Sequence, residues 1–335
     1  MKRHANLSIF VPHVGCPNQC VFCNQRRISG AISAPTADEV TRLCDEFLPQ
    51  KGEGNGTEIA FFGGSFTAID REYMTALLAA AYPFVEAKRA VGIRISTRPD
   101  AIDDEILTIL RRYGVSAIEL GAQSMDDEIL RLNKRGHKAS DVEAASERIK
   151  SFGGFSLGLQ MMEGMYGDKN PKKTAKETAA EFIRLKPLTV RIYPTIVVED
   201  TELYDLYKAG KYKPLSVDEA AAITAELLMD FESAEINVIR VGLHADESIT
   251  KSAAAGPFHP AFGEICYSLV MRKKIEEAIK KYNGDKSKIT VVINRRDLSK
   301  TQGHRKSNLA YFSEKGIALK VEIDEKMSEG EIRLT

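Results

Sequence analysis

Short runs rich in Val, Ile and Phe alternate along the chain with longer stretches whose apolar residues recur every three or four positions. Strands send alternate side chains to opposite faces, whereas helices gather every third or fourth into one stripe, so the pattern predicts βαβ units and a parallel sheet. Strands are expected at residues 7–11, 58–62, 91–96, 117–120, 155–161 and 189–197. Helices are expected at about 71–82, 103–112, 126–132, 139–151, 171–185 and 217–231. An earlier helix follows Pro35, where Thr36 and Glu39 form a capping box and Val40, Leu43, Cys44 and Phe47 share one face. Six such units in order predict an α/β fold that makes a barrel or most of one.

Beyond the sixth unit, residues 237–243 read as another strand, and Gly256-Pro257 breaks the chain before a helix at about 261–282. Phe262, Ile265, Cys266 and Leu269 fall on one face of that helix, which makes Cys266, like Cys44, a core residue. A strand at 289–294, a helix at 303–312 and a strand at 317–323 complete a small αβ module. The expected division is 1–250 for the barrel and 251–335 for the helix and module.

Charge changes this picture only locally. The 47 Lys and Arg balance 47 Asp and Glu, so the whole molecule exerts no net attraction on nucleic acid or on anionic membrane. Segment 271–306 departs from the average, with twelve basic residues against four acidic and a net charge of +8. Such a segment is either a phosphate-binding face for RNA or a solvated helix face. Apolar runs are too short to span a bilayer, and residues 1–7 are polar and lead into no cleavable leader, so the expected setting is cytoplasmic, with no membrane partner.

An odd count of five cysteines makes a poor disulfide framework. Three of them crowd into Cys16-Pro17-Asn18-Gln19-Cys20-Val21-Phe22-Cys23, directly after the first strand. In a parallel barrel, functional groups collect on the loops at the carboxyl ends of strands. Three thiolates there can hold three corners of an iron–sulfur cubane and leave one iron open. Two alternatives stand beside this: structural zinc with His13 as a fourth ligand, and a redox pair of Cys20 and Cys23.

With Phe22 at the position before the third cysteine, this loop resembles the CxxxCx(aromatic)C signature of the radical S-adenosylmethionine (SAM) enzymes. The resemblance implies a partial (β/α)6 TIM-like barrel, a 4Fe-4S cluster on Cys16, Cys20 and Cys23, and S-adenosyl-L-methionine chelated at the open iron. It further implies reductive cleavage to a 5′-deoxyadenosyl radical that abstracts hydrogen, and an electron donor for the cluster. Gly63-Gly64-Ser65 looks like the family segment that binds the methionine amino group, with Ser65 standing where many members carry an acid. At later strand ends, Arg98 can pair bidentately with a ligand carboxylate or, alternatively, locally with Asp100 or Asp103, Gln123 can bond ribose hydroxyls, and Met161 offers soft surface for adenine. Core filling is the plain alternative for Met161. The cofactor-binding set is therefore Phe22, Gly63, Gly64, Ser65, Arg98, Gln123 and Met161, and no catalytic acid or base is nominated.

The stretches Ser96-Thr97-Arg98-Pro99-Asp100, Glu119-Leu120-Gly121-Ala122-Gln123-Ser124, Lys134-Arg135-Gly136-His137 and Arg191-Ile192-Tyr193-Pro194-Thr195 resemble the catalytic subunit of Elongator and its relatives. That family modifies the wobble uridine of transfer RNA and carries an acetyltransferase domain. Only 85 residues follow position 250 here, with no Gly-rich pyrophosphate loop, so acetyl-coenzyme A is not expected. Three readings stay open: a radical SAM enzyme on tRNA or another RNA, one on a small metabolite, and a non-catalytic RNA-binding relative with a structural metal.

Overall fold

The computed structural model describes residues 5–12, 16, 19–24, 33–49, 56–243 and 247–335. The chain lays down β1 (Ala5–Phe10), β2 (Thr57–Phe62), β3 (Ile93–Thr97), β4 (Val115–Gln123), β5 (Ser156–Glu163) and β6 (Thr189–Pro194) in order. A short β7 (Val197–Val198) leaves the sheet, and β8 (Asn237–Val241) returns to it. The seven-stranded sheet runs β1-β2-β3-β4-β5-β6-β8, and every pairing is parallel. Among the described residues its edges β1 and β8 do not pair, so the barrel is partial and open on one side.

Parallel neighbours need crossovers, and here helices supply them. They are α1 (Ala37–Phe47), α2 (Arg71–Glu86), α3 (Asp104–Arg112), α4 (Asp127–Leu132), α5 (Ala139–Phe152), α6 (Pro171–Leu185), α7 (Glu202–Lys208) and α8 (Val217–Ser233). The capping box at α1 is present: Glu39 N–H donates to Thr36 Oγ1 at 3.2 Å, and Thr36 N–H donates to Glu39 Oε2 at 2.7 Å. Helix α2 continues through Pro83, past the end expected at 82, because Leu77, Ala81 and Phe84 share one buried stripe. Outward-facing strand residues such as Ile59, Phe61, Ile93, Ile118 and Leu159 bury themselves against these helices. Each such side chain contributes about 1.5–3 kcal/mol.

Strand β6 stops at Pro194, short of the expected 197, since proline has no N–H to donate to the ladder. Val197 and Val198 pair instead in an antiparallel ladder with β9 (Ala253–Ala255), which follows α9 (Glu247–Ser252). The chain then forms α10 (Phe262–Lys281), β10 (Lys288–Ile293), α11 (Leu298–Gln302), α12 (Ser307–Glu314), β11 (Ala318–Ile323) and β12 (Arg333–Leu334). A single helix expected at 303–312 is broken because Gly303, Arg305 and Lys306 all take positive φ. Strands β11-β10-β12 form a second sheet over a separate core containing Ile289, Val291 and Phe312.

Helix α10 serves both cores. Phe262, Cys266 and Val270 pack into the barrel, while Met271, Ile275 and Ile279 pack into the module. Ile249 clusters with Ile196 and Val198, so the change of core falls inside α10 and after the division expected at 250. Among the described residues no helix is long and apolar enough to cross a membrane.

Candidate functional site

The inner face of the sheet and the cysteine loop enclose a cavity of about 660 Å³. Cys16, Cys20, Phe22 and Cys23 form one wall of it. The loop is held from two sides: Val21 N–H donates to Asn133 O at 3.3 Å, and Leu203 N–H donates to Val21 O at 2.7 Å. Phe22 packs with Val197, Leu203 and Tyr212. The signature aromatic thus anchors the loop to the segment after β6 while still reaching the cavity.

All five cysteines are free of disulfides, and Cys44 and Cys266 are buried away from the loop. Burial pushes the Cys44 thiol up to about 12 and raises Cys266 as well, which suits packing and not ligation. Removal from water raises the Cys16 thiol, against the Ser65 backbone amide and the guanidinium groups of Arg135 and Arg98, which favour the thiolate. Among the described residues no three His, Cys, Asp or Glu side chains converge on one ion. A cubane does not require that convergence, because its thiolates bind separate irons. The zinc alternative turns on His13, which lies outside the described residues.

Gly63 and Gly64 line the cavity beside the loop. Gly63 has φ +103°, a backbone conformation that residues with a side chain rarely adopt, and a Cβ on it would rest 3.4 Å from Val11 N. Ser65 does not line the cavity. Its hydroxyl is hydrogen-bonded to Thr97 Oγ1 at 2.9 Å and accepts Arg98 N–H at 3.2 Å, tying the end of β2 to the end of β3.

Arg98 reaches the cavity wall, but its guanidinium is already held by Asp100, Nε to Oδ1 at 2.8 Å and Nη2 to Oδ2 at 2.6 Å. Met161 is a correction. Strand alternation turns it into the helix-facing core with Leu157 and Leu159, and its neighbours Gln160 and Met162 face the cavity instead. Gln123 lines the cavity at φ +67°, with its buried Oε1 lacking a partner among the described residues. Such strain in a non-glycine residue is held by its surroundings and aims the amide inward. Gly121 leaves the room, since a Cβ there would come within 3.2 Å of Gln123 Nε2 and 3.4 Å of Arg135 Nη2.

Several site residues escaped the sequence reading. Arg135 donates from Nη1 to Cys20 Sγ at 3.1 Å and from Nη2 to Gly121 O at 2.5 Å, and its buried Nε has no partner among the described residues. His137 is buried with Nε2 3.2 Å from Ala122 O. Burial first, and Arg135 second, lowers its pKa to about 4, so near neutrality it is an uncharged donor bracing the end of β4. Deeper in the barrel, Arg94 donates to Glu58 at 2.7 Å and to Glu119 at 2.9 Å, while Arg191 Nη2 and Gln160 Nε2 also donate to Glu119, at 2.9 and 3.0 Å. The stretch from 134 to 137 was visible as a motif, but the contact of Arg135 with Cys20 crosses 115 positions of sequence. Nothing local signals the polar layer, whose members come from five separate strands.

The sequence profile described as the radical SAM superfamily matches residues 10–178, and that of the radical SAM C-terminal domain matches 187–272. A tRNA uridine(34) acetyltransferase of Methanocaldococcus jannaschii is 34% identical over 188 residues, covering 50% of this chain and 34% of that protein. Elongator complex protein 3 of Homo sapiens is 27% identical, covering 56% of this chain and 38% of that protein. The chain thus spans little more than a third of the length of these two relatives. Among solved structures, archaeal Methanocaldococcus infernus Elp3 superposes with a TM-score of 0.64 at 23% identity, covering 81% of this chain and 63% of that one. At that identity the likeness speaks for the fold.

Proposed function

The chain belongs to the radical SAM superfamily of enzymes, and from that premise we propose that it abstracts a hydrogen atom in the modification of a uridine of transfer RNA. One observation carries the reading: Cys16, Cys20 and Cys23 share a single cavity with Gly63, Gly64, Gln123 and Arg135. When bound, a 4Fe-4S cluster and S-adenosyl-L-methionine supply an electron and a sulfonium whose cleavage gives a 5′-deoxyadenosyl radical. Cys16, Cys20 and Cys23 would hold the cluster, and Arg135 would place a cation beside Cys20. The donor set fits: three cysteines outside any disulfide, a cation beside one of them, a glycine pair lining the same cavity, and an unpaired amide oxygen on Gln123.

Because Asp100 already occupies Arg98, the amino-acid carboxylate would fall to the cation of Arg135, which lines the cavity beside Cys20. Main-chain groups at Gly63 and Gly64 would receive the amino group, Gln123 the ribose, and Gln160 and Met162 the base. A primary carbon radical attacks whatever it meets, so the role of the barrel wall is to exclude water and fix the substrate carbon in place. The cluster needs an external electron donor, and reduced thiols and an RNA substrate suit a cytoplasmic setting.

RNA as substrate rests on the names of the relatives and on the basic segment 271–306. That segment is partly neutralised by residues outside it. Lys273 and Lys274 pair with Glu226 and Glu232, and Arg295 and Arg296 with Glu325 and Glu329. The contact is therefore assigned to the exposed Lys280, Lys281, Lys288, Arg305 and Lys306. The reading covers the radical step alone and does not extend to acetyl transfer.

The test is anaerobic reconstitution with iron and sulfide, reduction, and measurement of 5′-deoxyadenosine with and without unmodified tRNA. Stimulation by tRNA that disappears after ribonuclease treatment supports the reading. Cleavage that ignores tRNA and responds to a low-molecular-weight fraction would overturn it in favour of a small metabolite.

A further inference from the structure

Arg135 is 8% exposed and is fixed from within the fold. It sits between Lys134 at φ +54° and Gly136 at φ +72°, in the turn that follows α4, and its own N–H donates to Leu130 O at 3.0 Å. Two side chains dock this turn on the end of β4: Arg135 Nη2 donates to Gly121 O, and His137 Nε2 lies 3.2 Å from Ala122 O. The other edge of the guanidinium, through Nη1, meets Cys20 Sγ at 3.1 Å. Among the described residues the side chain thus has one sulfur and one carbonyl oxygen as hydrogen-bond partners, and no carboxylate.

A guanidinium stays charged throughout the working pH range, and a buried cation is costly unless an anion faces it. Cys20 supplies that anion as a thiolate, the form in which cysteine binds metal. The loop cysteines are therefore not equivalent. Cys16 is met by a neutral donor, the Ser65 backbone amide, whereas the donor to Cys20 carries a full charge. Hydrogen bonds to the ligand sulfurs and local charge are the means by which a protein sets an iron–sulfur potential. One-electron reduction adds negative charge, so a cation bonded to Cys20 favours the reduced form over the oxidised one. We infer that Arg135 is a positioning residue that raises the reduction potential of the cluster through Cys20 and so brings it within reach of the external electron donor. This assignment rests on the cluster reading above, and it concerns the edge of the guanidinium that faces Cys20 rather than the contact with the amino-acid carboxylate.

Wild type, Arg135→Lys and Arg135→Gln are reconstituted anaerobically and taken through a redox titration without SAM or RNA, with the reduced cluster followed by electron paramagnetic resonance. Loss of one charge-assisted hydrogen bond sets the expected effect of Arg135→Gln: at a fixed potential the ratio of reduced to oxidised cluster falls about tenfold, equivalent to about 59 mV. Arg135→Lys, which keeps the cation, should recover most of that loss. An Arg135→Gln cluster that titrates together with wild type would overturn the assignment and leave the cluster reading intact. A second measurement needs no variant. In wild type carrying arginine labelled at the guanidinium nitrogens, pulsed resonance should detect coupling of the label to the reduced cluster, and its absence overturns the assignment even if Arg135→Gln holds no iron. Wild type that holds no cluster overturns the cluster reading, and the assignment with it.

Discussion

Arg94 with Glu119 inside the barrel and Arg295 with Glu325 on the module are ion pairs of the same chemistry in opposite settings. The inner pair is 2.9 Å apart with side chains 6% and 1% exposed, and the outer pair is 2.6 Å apart with side chains 68% and 63% exposed. The shorter contact is the weaker one, because water and salt screen it and two long side chains lose freedom to make it. The inner charges have no water to fall back on, so each depends on its partners. In the barrel, charge builds a fixed interior that holds Arg191 against Phe62; on the module it coats a surface.

The largest effect should come from Glu119→Ala, which leaves Arg94 and Arg191 without their shared partner. Removing one member of a buried network costs about 3–5 kcal/mol, to be read from urea unfolding. A loss below about 1 kcal/mol would mean that water reaches this layer and that the contrast between interior and surface is overstated.

Glu163 sharpens the comparison through pH. Burial raises its pKa to about 8, against the Thr224 hydroxyl that donates to Oε1 at 2.7 Å. The folded state therefore keeps this proton when the unfolded chain, near 4.5, has lost it. The sign follows: Glu163 leaves stability greatest below about 4.5 and lowers it progressively up to about 8. At pH 7 the deficit is about 3 kcal/mol, and Glu163→Gln should flatten the slope between those limits. An unchanged pH profile of unfolding would show that Glu163 does not carry it.

At the surface, Arg295→Ala should change stability by no more than about 0.5 kcal/mol. The same region separates charges committed to protein partners from those to which the RNA contact is assigned in the proposal. Charge reversal at Lys281 should weaken tRNA binding severalfold and reduce its salt dependence, while Arg295→Ala should do neither. Equal effects of the two in a salt-dependent gel shift would erase the distinction.

The same contrast explains what could be read in the chain itself. The cysteine loop, the α1 capping box and the core positions of Cys44 and Cys266 depend on spacings within one turn or one loop, so they are legible locally. Met161 was misplaced because Gln160-Met161-Met162 puts soft apolar side chains on both faces of β5, and a slip of one residue reverses the assignment. Arg98 has its partner two positions away, yet sequence alone does not say whether that partner or a ligand wins. The layer around Glu119 and the contact of Arg135 with Cys20 join distant segments and become visible only once the strands are side by side. The +8 count overstates the charge left unpaired, since Glu226, Glu232, Glu325 and Glu329 lie outside the counted segment and pair with four of its basic residues.

The central claim is that Cys16, Cys20 and Cys23 form a cluster site and that Cys44 does not contribute to it. Wild type, Cys20→Ala and Cys44→Ala are to be reconstituted anaerobically side by side, then assayed for bound iron and for reductive release of 5′-deoxyadenosine from S-adenosyl-L-methionine. Wild type and Cys44→Ala should hold about four irons per chain, as a 4Fe-4S cluster requires, and release the nucleoside, while Cys20→Ala should do neither. Full iron loading and undiminished cleavage in Cys20→Ala, or no cleavage in iron-loaded wild type, would contradict the account.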